Sequence, residues 1–153
     1  MAEPHRLRVA EHRAAYSQRP PLVADASVLA AAVFEEQGHD EARALLHGRS
    51  LHAPHLLDFE IASVSLKKLT RDRMTRDTVA AALSAYGRLA IERHSVDAEA
   101  MLAIAERYRL TTYDAAYLCV AERLGAPLAT LDGKLAEAAR AYLTNDRQVH
   151  EPE

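Results

Sequence analysis

Pro21-Leu22-Val23-Ala24-Asp25-Ala26-Ser27-Val28-Leu29 is a short apolar run that stops on an acid and resumes at once as a second apolar run. The first part is too short for a helix and reads as a buried strand. Ser27 is a residue type that caps helices, so a helix is expected through Val28, Leu29, Ala32, Val33 and Phe34, with Gly38 as its break. A carboxylate beside a core segment is costly unless something pairs with it. Asp25 therefore marks the end of a buried strand and asks for a partner.

The pattern recurs outward from this stretch. Pro127-Leu128-Ala129-Thr130-Leu131-Asp132 is a second apolar run ending on an acid, and Leu51-His52-Ala53-Pro54 is a shorter one. Helical spacing is expected over residues 40–46, 56–70, 75–90, 97–108, 114–124 and 134–142. A brief strand is expected over 91–96 and a last edge strand over 148–150. Short strands alternating with helices predict an α/β domain with a short, mostly parallel central sheet flanked by helices. Pro20-Pro21 divides the chain into an N-terminal extension, residues 1–20, with a short helix expected over 9–16, and a compact domain, residues 21–150.

Composition narrows the function. The chain has 153 residues, a formal net charge of −3 and a single cysteine, Cys119. One domain is expected, and an intrachain disulfide is impossible. Cys119 lies between Leu118 and Val120 and reads as a small buried hydrophobe. No apolar stretch approaches the ~20 residues of a membrane span, and the arginine-bearing N-terminus lacks a secretory core, so a cytoplasmic protein is expected. The net charge excludes a broadly basic, nonspecific nucleic-acid binder. It does not exclude a nucleic-acid substrate, because the chain without four metal-bound carboxylates would be close to neutral.

Four acids stand at the ends or edges of apolar segments: Asp25, Glu60, Asp114 and Asp132. Singly, each has an ordinary explanation. Asp25 is a turn residue, Asp114 complements a helix dipole, Asp132 opens an Asp-Gly turn, and Glu60 pairs with an arginine. Jointly, they form a hard oxygen set for Mg²⁺ or Mn²⁺ if they converge, since the metal relieves their mutual repulsion. One or two such ions activate water and stabilise the leaving oxygen of a phosphodiester. In an open parallel sheet, active groups gather at the carboxyl ends of strands, where this reading places Asp25 and Asp132.

Other motifs carry less. His52 and His55 have a metal-like spacing, but Pro54 intervenes and no further Cys or His motif completes a set, so surface and turn histidines are expected. Lys67, Lys68, Arg71, Arg73 and Arg76 form a basic cluster after the Glu60 segment: a solvated face, or a hold on an RNA backbone. A phosphoryl-accepting aspartate would want an acid where Ser27 stands. A receiver domain would need an acidic pair on an earlier strand, and no phosphate-binding glycine loop is present.

The words around the acids are more specific than their spacing. Leu22-Val23-Ala24-Asp25-Ala26-Ser27-Val28-Leu29 resembles the first motif of the PIN-domain nucleases, and His55-Leu56-Leu57-Asp58-Phe59-Glu60-Ile61-Ala62 the second. The run from Thr112-Tyr113-Asp114-Ala115-Ala116-Tyr117 to Ala129-Thr130-Leu131-Asp132-Gly133-Lys134-Leu135 is similar to the third and fourth. The resemblance covers about residues 21–150 and looks most like the VapC toxins of toxin–antitoxin pairs. It implies a PIN-like fold and a Mg²⁺- or Mn²⁺-dependent endoribonuclease. It further implies a cognate antitoxin that blocks the site, and a homodimer whose interface the segments 79–89 and 98–105 can supply. It carries the metal ligands and catalytic acids onto Asp25, Glu60, Asp114 and Asp132, with hydroxyl support from Ser27 and Thr130. Many members have Asn three positions after the helix Glu, where this chain has Ser63. The alternative is a non-catalytic RNA- or protein-binding module on the same fold.

Overall fold

The computed structural model describes residues 19–149. Four strands form one sheet in the order β3-β2-β1-β4. They are β1 (Pro21–Ala24), β2 (Ser50–Pro54), β3 (Glu92–His94) and β4 (Leu128–Ala129), and every pairing is parallel. The helices are α1 (Ala26–Val33), α2 (His39–Leu46), α3 (Leu56–Thr70), α4 (Arg76–Gly87), α5 (Ala98–Tyr108), α6 (Thr112–Leu124) and α7 (Gly133–Val149). The expected 9–16 helix lies outside the described residues.

The order contains a switch. From β1 the chain adds β2 and β3 on one side, then returns to place β4 on the other side of β1. Such a reversal opens a crevice at the carboxyl ends of the two strands beside it. Val23 pairs with Leu128 and Ala24 with Ala129, and the Asp25 amide donates to the Ala129 carbonyl at 3.1 Å. The next residue on each strand is therefore Asp25 and Thr130. Register alone brings the two acid-bearing segments side by side.

The core explains the apolar runs. Leu22, Val23, Ala24, Val28 and Leu29 are almost fully buried. Helix α6 lies on β1 and β2 and carries α5 and α7, while α1 packs against α3 and α4. Tyr117, Leu118, Val120 and Ala121 of α6 are all within 1% of full burial. Gly125 ends α6 in a left-handed conformation (φ 57), a position where glycine carries no Cβ penalty.

The structure corrects several expectations. Residues 148 and 149 belong to α7, not to an edge strand, and residue 150 lies outside the described chain. Leu135, Ala138, Ala139 and Leu143 face the core at helical spacing, and a helix so anchored extends at little cost. Asp25, not Ser27, caps α1: its Oδ1 accepts from the Ser27 and Val28 amides at 3.1 and 3.2 Å. Helix α4 ends at Gly87, and Thr75 is its cap. His52 is a buried strand residue, not a surface histidine, whereas His55 is exposed ahead of α3.

Candidate active site

Asp25 stands where β1 becomes α1 and is only 7% exposed. Both carboxylate oxygens are engaged. Ser27 Oγ donates to Oδ1 at 2.5 Å, and Thr130 Oγ1 donates to Oδ2 at 2.6 Å. The same hydroxyls also accept: Leu131 N donates across to Ser27 Oγ at 2.9 Å, and Asp132 N donates to Thr130 Oγ1 of its own segment at 3.0 Å. The two strand ends are thus laced through Ser27 and Thr130, both of which serve Asp25. Asp132 caps the start of α7, accepting from Leu135 N at 2.9 Å.

Glu60 comes from the second turn of α3. Its Oε1 accepts from the Tyr117 hydroxyl at 2.7 Å. The arginine partner that would have made Glu60 structural belongs to another acid. Arg93 pairs with Asp58, 2.8 Å from Nη2 to Oδ1. Asp114 lies in the first turn of α6, with Thr111 as the cap that fixes the turn. The helix that carries Asp114 also carries Tyr117, so α6 positions two groups of the site.

Electrostatics link the acids pairwise. Burial raises the Glu60 pKa, and the charges of Asp25 and Asp114 raise it further, against the Tyr117 hydrogen bond. Burial likewise raises Asp114, with the charges of Asp132 and Asp25 adding to it, while Lys134 opposes. Each acid is therefore felt by at least one other. Among the described residues, none of the four is in an ion pair with Lys, Arg or His. No three of them bring ligand oxygens within 4.8 Å of one another, so the carboxylates stand apart rather than in contact. An all-oxygen set with excess negative charge, which Lys134 offsets only in part, fits Mg²⁺ or Mn²⁺.

A groove runs beside Glu60 on α3, lined by Phe59, Glu60, Ser63, Val64, Lys67 and Tyr113 among others. Phe59 and Tyr113 are 74% and 63% exposed, and Leu131 beside Asp132 is 59% exposed. Sequence reasoning misses these two aromatics; their signal is a large ring immediately beside an acid of the set. Ser63 lines the groove but is exposed. The basic cluster divides. Lys67 faces the groove, whereas Lys68 is held by Glu36 at 2.6 Å and Asp72 at 3.3 Å, above the Phe34 ring. Arg71 is exposed at the end of α3, and Arg73 follows in a left-handed turn (φ 53).

This arrangement belongs to a known class. The family profile described as the PIN domain matches residues 22–141, and the chain belongs to that family. Within it, the chain is VapC-like. It is 36% identical over 120 residues to VapC ribonuclease Mb0985 of Mycobacterium bovis, spanning 78% of this chain and 92% of that one. Ribonuclease VapC9 of Mycobacterium tuberculosis matches to the same extent. Ribonuclease VapC3 of Pyrobaculum aerophilum is 32% identical, over 80% of this chain and 98% of its own. The crystal structure of PAE2754 from Pyrobaculum aerophilum shares the fold, with a TM-score of 0.60 at 23% identity over 85% of this chain and 97% of that one.

Proposed function

We propose that the chain is a Mg²⁺- or Mn²⁺-dependent endoribonuclease, the toxin of a toxin–antitoxin pair. The observation that carries it is the electrostatic coupling of Glu60 and Asp114 to Asp25 and Asp132, with Asp25 at the β1–β4 switch and, among the described residues, none of the four in an ion pair. The VapC ribonucleases named above supply the substrate class. A bound divalent ion would make water more acidic and stabilise charge on the phosphodiester oxygens.

The chain's own residues do the rest. Ser27 and Thr130 orient Asp25, and Tyr117 fixes the Glu60 rotamer, so the donors are held before an ion arrives. Lys67 and Arg71 hold the RNA backbone along the groove; Arg73 reaches the same strand further out, and Lys68 serves the fold instead. Phe59 and Tyr113 offer ring faces on which splayed bases stack. A cognate antitoxin covers exposed Phe59, Tyr113 and Leu131, and exposed Leu83 of α4 and Leu102 of α5 supply the contact of a homodimer. No helix among the described residues is long and apolar enough to cross a membrane, and a cytoplasmic location gives the enzyme access to RNA.

The deciding experiment is cleavage of total cellular RNA by antitoxin-free protein, wild type beside Asp25→Asn, with Mg²⁺, Mn²⁺ or chelator. Asn caps helices as well as Asp does, so the start of α1 is kept, and a cooperative melting curve checks that the variant is folded. Discrete fragments from wild type alone, lost in chelator, are expected. Equal cleavage by both proteins removes the assignment. Failure of both to cleave or to bind metal favours a binding module on this fold.

A further inference from the structure

Two histidines and a glutamate meet at the β3 edge of the sheet rather than at the β1–β4 junction. His52 pairs with Glu92 across the β2–β3 ladder. Strand alternation puts Glu92 and His94 on the same face as His52, and Ser50 with them. His52 Nδ1 lies 3.0 Å from His94 Nε2 and 3.6 Å from Glu92 Oε2, and Glu92 Oε1 is 3.9 Å from His94 Nε2. One ligand atom from each lies within 4.8 Å of the other two. Around a tetrahedral ion with bonds of ~2.0–2.1 Å, ligand atoms stand about 3.3 Å apart. The observed separations bracket that distance, so an ion enters with small side-chain adjustments.

The surroundings are those of a ligating histidine. Ser50 Oγ lies 3.0 Å from His52 Nε2. A serine oxygen accepting from Nε2–H leaves the Nδ1 lone pair aimed at His94 and Glu92, the outer partnership that fixes tautomer and ring orientation. His52 is 8% exposed, whereas the Glu92 side chain is 67% exposed and free to swing onto an ion. Arg123 donates to the Ser95 carbonyl nearby, and the Glu92 charge offsets it.

We propose that His52, Glu92 and His94 form a second metal site, which takes a borderline transition ion such as Zn²⁺ with one position left for water. Two imidazoles and a carboxylate suit Zn²⁺, Ni²⁺ or Cu²⁺, whereas the four acids suit Mg²⁺ or Mn²⁺, so the two sites are chemically separable. The ion clips β3, only three residues long, to β2 and stabilises the fold by binding the native state alone.

The test uses untagged full-length protein, stripped of metal and kept in excess Mg²⁺. Zn²⁺ is titrated calorimetrically and by melting temperature; Co²⁺ reports tetrahedral coordination by its visible spectrum. Wild type and Asp25→Asn are both expected to bind one Zn²⁺ per chain, melt higher with it and show the Co²⁺ band. His94→Ala loses all three, and Glu92→Gln weakens binding by ~10-fold or more. Glu92 is exposed, so its variant carries the test if His94→Ala fails to fold. Equal Zn²⁺ affinity in wild type and Glu92→Gln, Zn²⁺ binding that disappears in Asp25→Asn, or no stoichiometric binding at all overturns the site.

Discussion

Thr130 donates a 2.6 Å hydrogen bond to Oδ2 of Asp25, a residue 105 positions earlier in the chain. The bond joins the carboxyl ends of β1 and β4 and holds an acid in place at once, so the fold and the proposed site share it. A hydrogen bond to a charged group is worth ~1.5–3 kcal/mol, and loss of an outer partner of a metal ligand typically costs ~10–100-fold in affinity or activity. Thr130→Val should show both effects, read as a lower melting temperature and slower RNA cleavage. Thr130→Ser keeps the hydroxyl and should recover most of the rate. A Val variant that cleaves like wild type would dismiss Thr130 from the site.

Glu60 should oppose stability when no metal is bound. Its pKa is raised, first by burial and then by its acidic neighbours, so the native state holds that proton more tightly than the unfolded chain does. Its contribution therefore falls as pH climbs from about 4 through the raised value. Glu60→Gln removes that charge while Tyr117 can still donate to the amide oxygen. In chelator at neutral pH the variant should melt higher than wild type. Added Mg²⁺ should raise the wild-type melting temperature and leave the variant nearly unmoved. Equal Mg²⁺ responses would mean that Glu60 holds no ion.

Asp58 carries the opposite sign. Its pKa is lowered, chiefly by the Arg93 hydrogen bond, and Tyr86 adds a second donor at 2.6 Å. The stabilisation is present above about pH 4 and is lost as pH falls through the lower folded value. The pair is partly exposed, 26% on Arg93 and 52% on Asp58, so about 1 kcal/mol is the right scale. Asp58→Asn should lower the melting temperature by ~3 °C at neutral pH and by nothing in strong acid. RNA cleavage at neutral pH should be unchanged, because the Asp58 carboxylate is bound to Arg93 and Tyr86 rather than to the proposed site.

What can be read from the sequence follows a physical division. The strands β1, β2 and β4 and the helices between them are legible because apolar period and capping residues are local signals. The four acids are legible because each breaks an apolar segment. The partners of those acids are not. Tyr117 sits in an apolar stretch that reads as plain core, and only the general need of a buried phenol for a partner hints at Glu60. Asp58–Arg93 and His52–His94 are joined by register across β2, β3 and α3, and no local spacing records that. The tail over 148–149 is helical because propagation from the Leu135–Leu143 face outweighs weak local strand preference. Asp25 and Ser27 are equally good capping types two residues apart, and the choice between them is made by β4.

The basic cluster yields the sharpest contrast between neighbours. On α3, residues seven and eleven positions after Glu60 return to within about 20° of its direction, whereas the eighth is turned by about 80°. Lys67 and Arg71 therefore extend the Glu60 face, and Lys67 lines the groove, while Lys68 turns to Glu36, Asp72 and Phe34. Lys67→Glu should weaken RNA binding and flatten its salt dependence, since each phosphate left without its cation takes about one counterion off the slope. Arg71→Glu should act in the same direction, and joint reversal of Arg71 and Arg73 more strongly. Lys68→Glu should instead lower thermal stability by ~1 kcal/mol through repulsion with Glu36 and Asp72, and leave the salt slope unchanged. Binding isotherms at several salt concentrations, on metal-depleted protein so that no cleavage intervenes, separate the two lysines. An unchanged slope in Lys67→Glu would move the RNA path off α3.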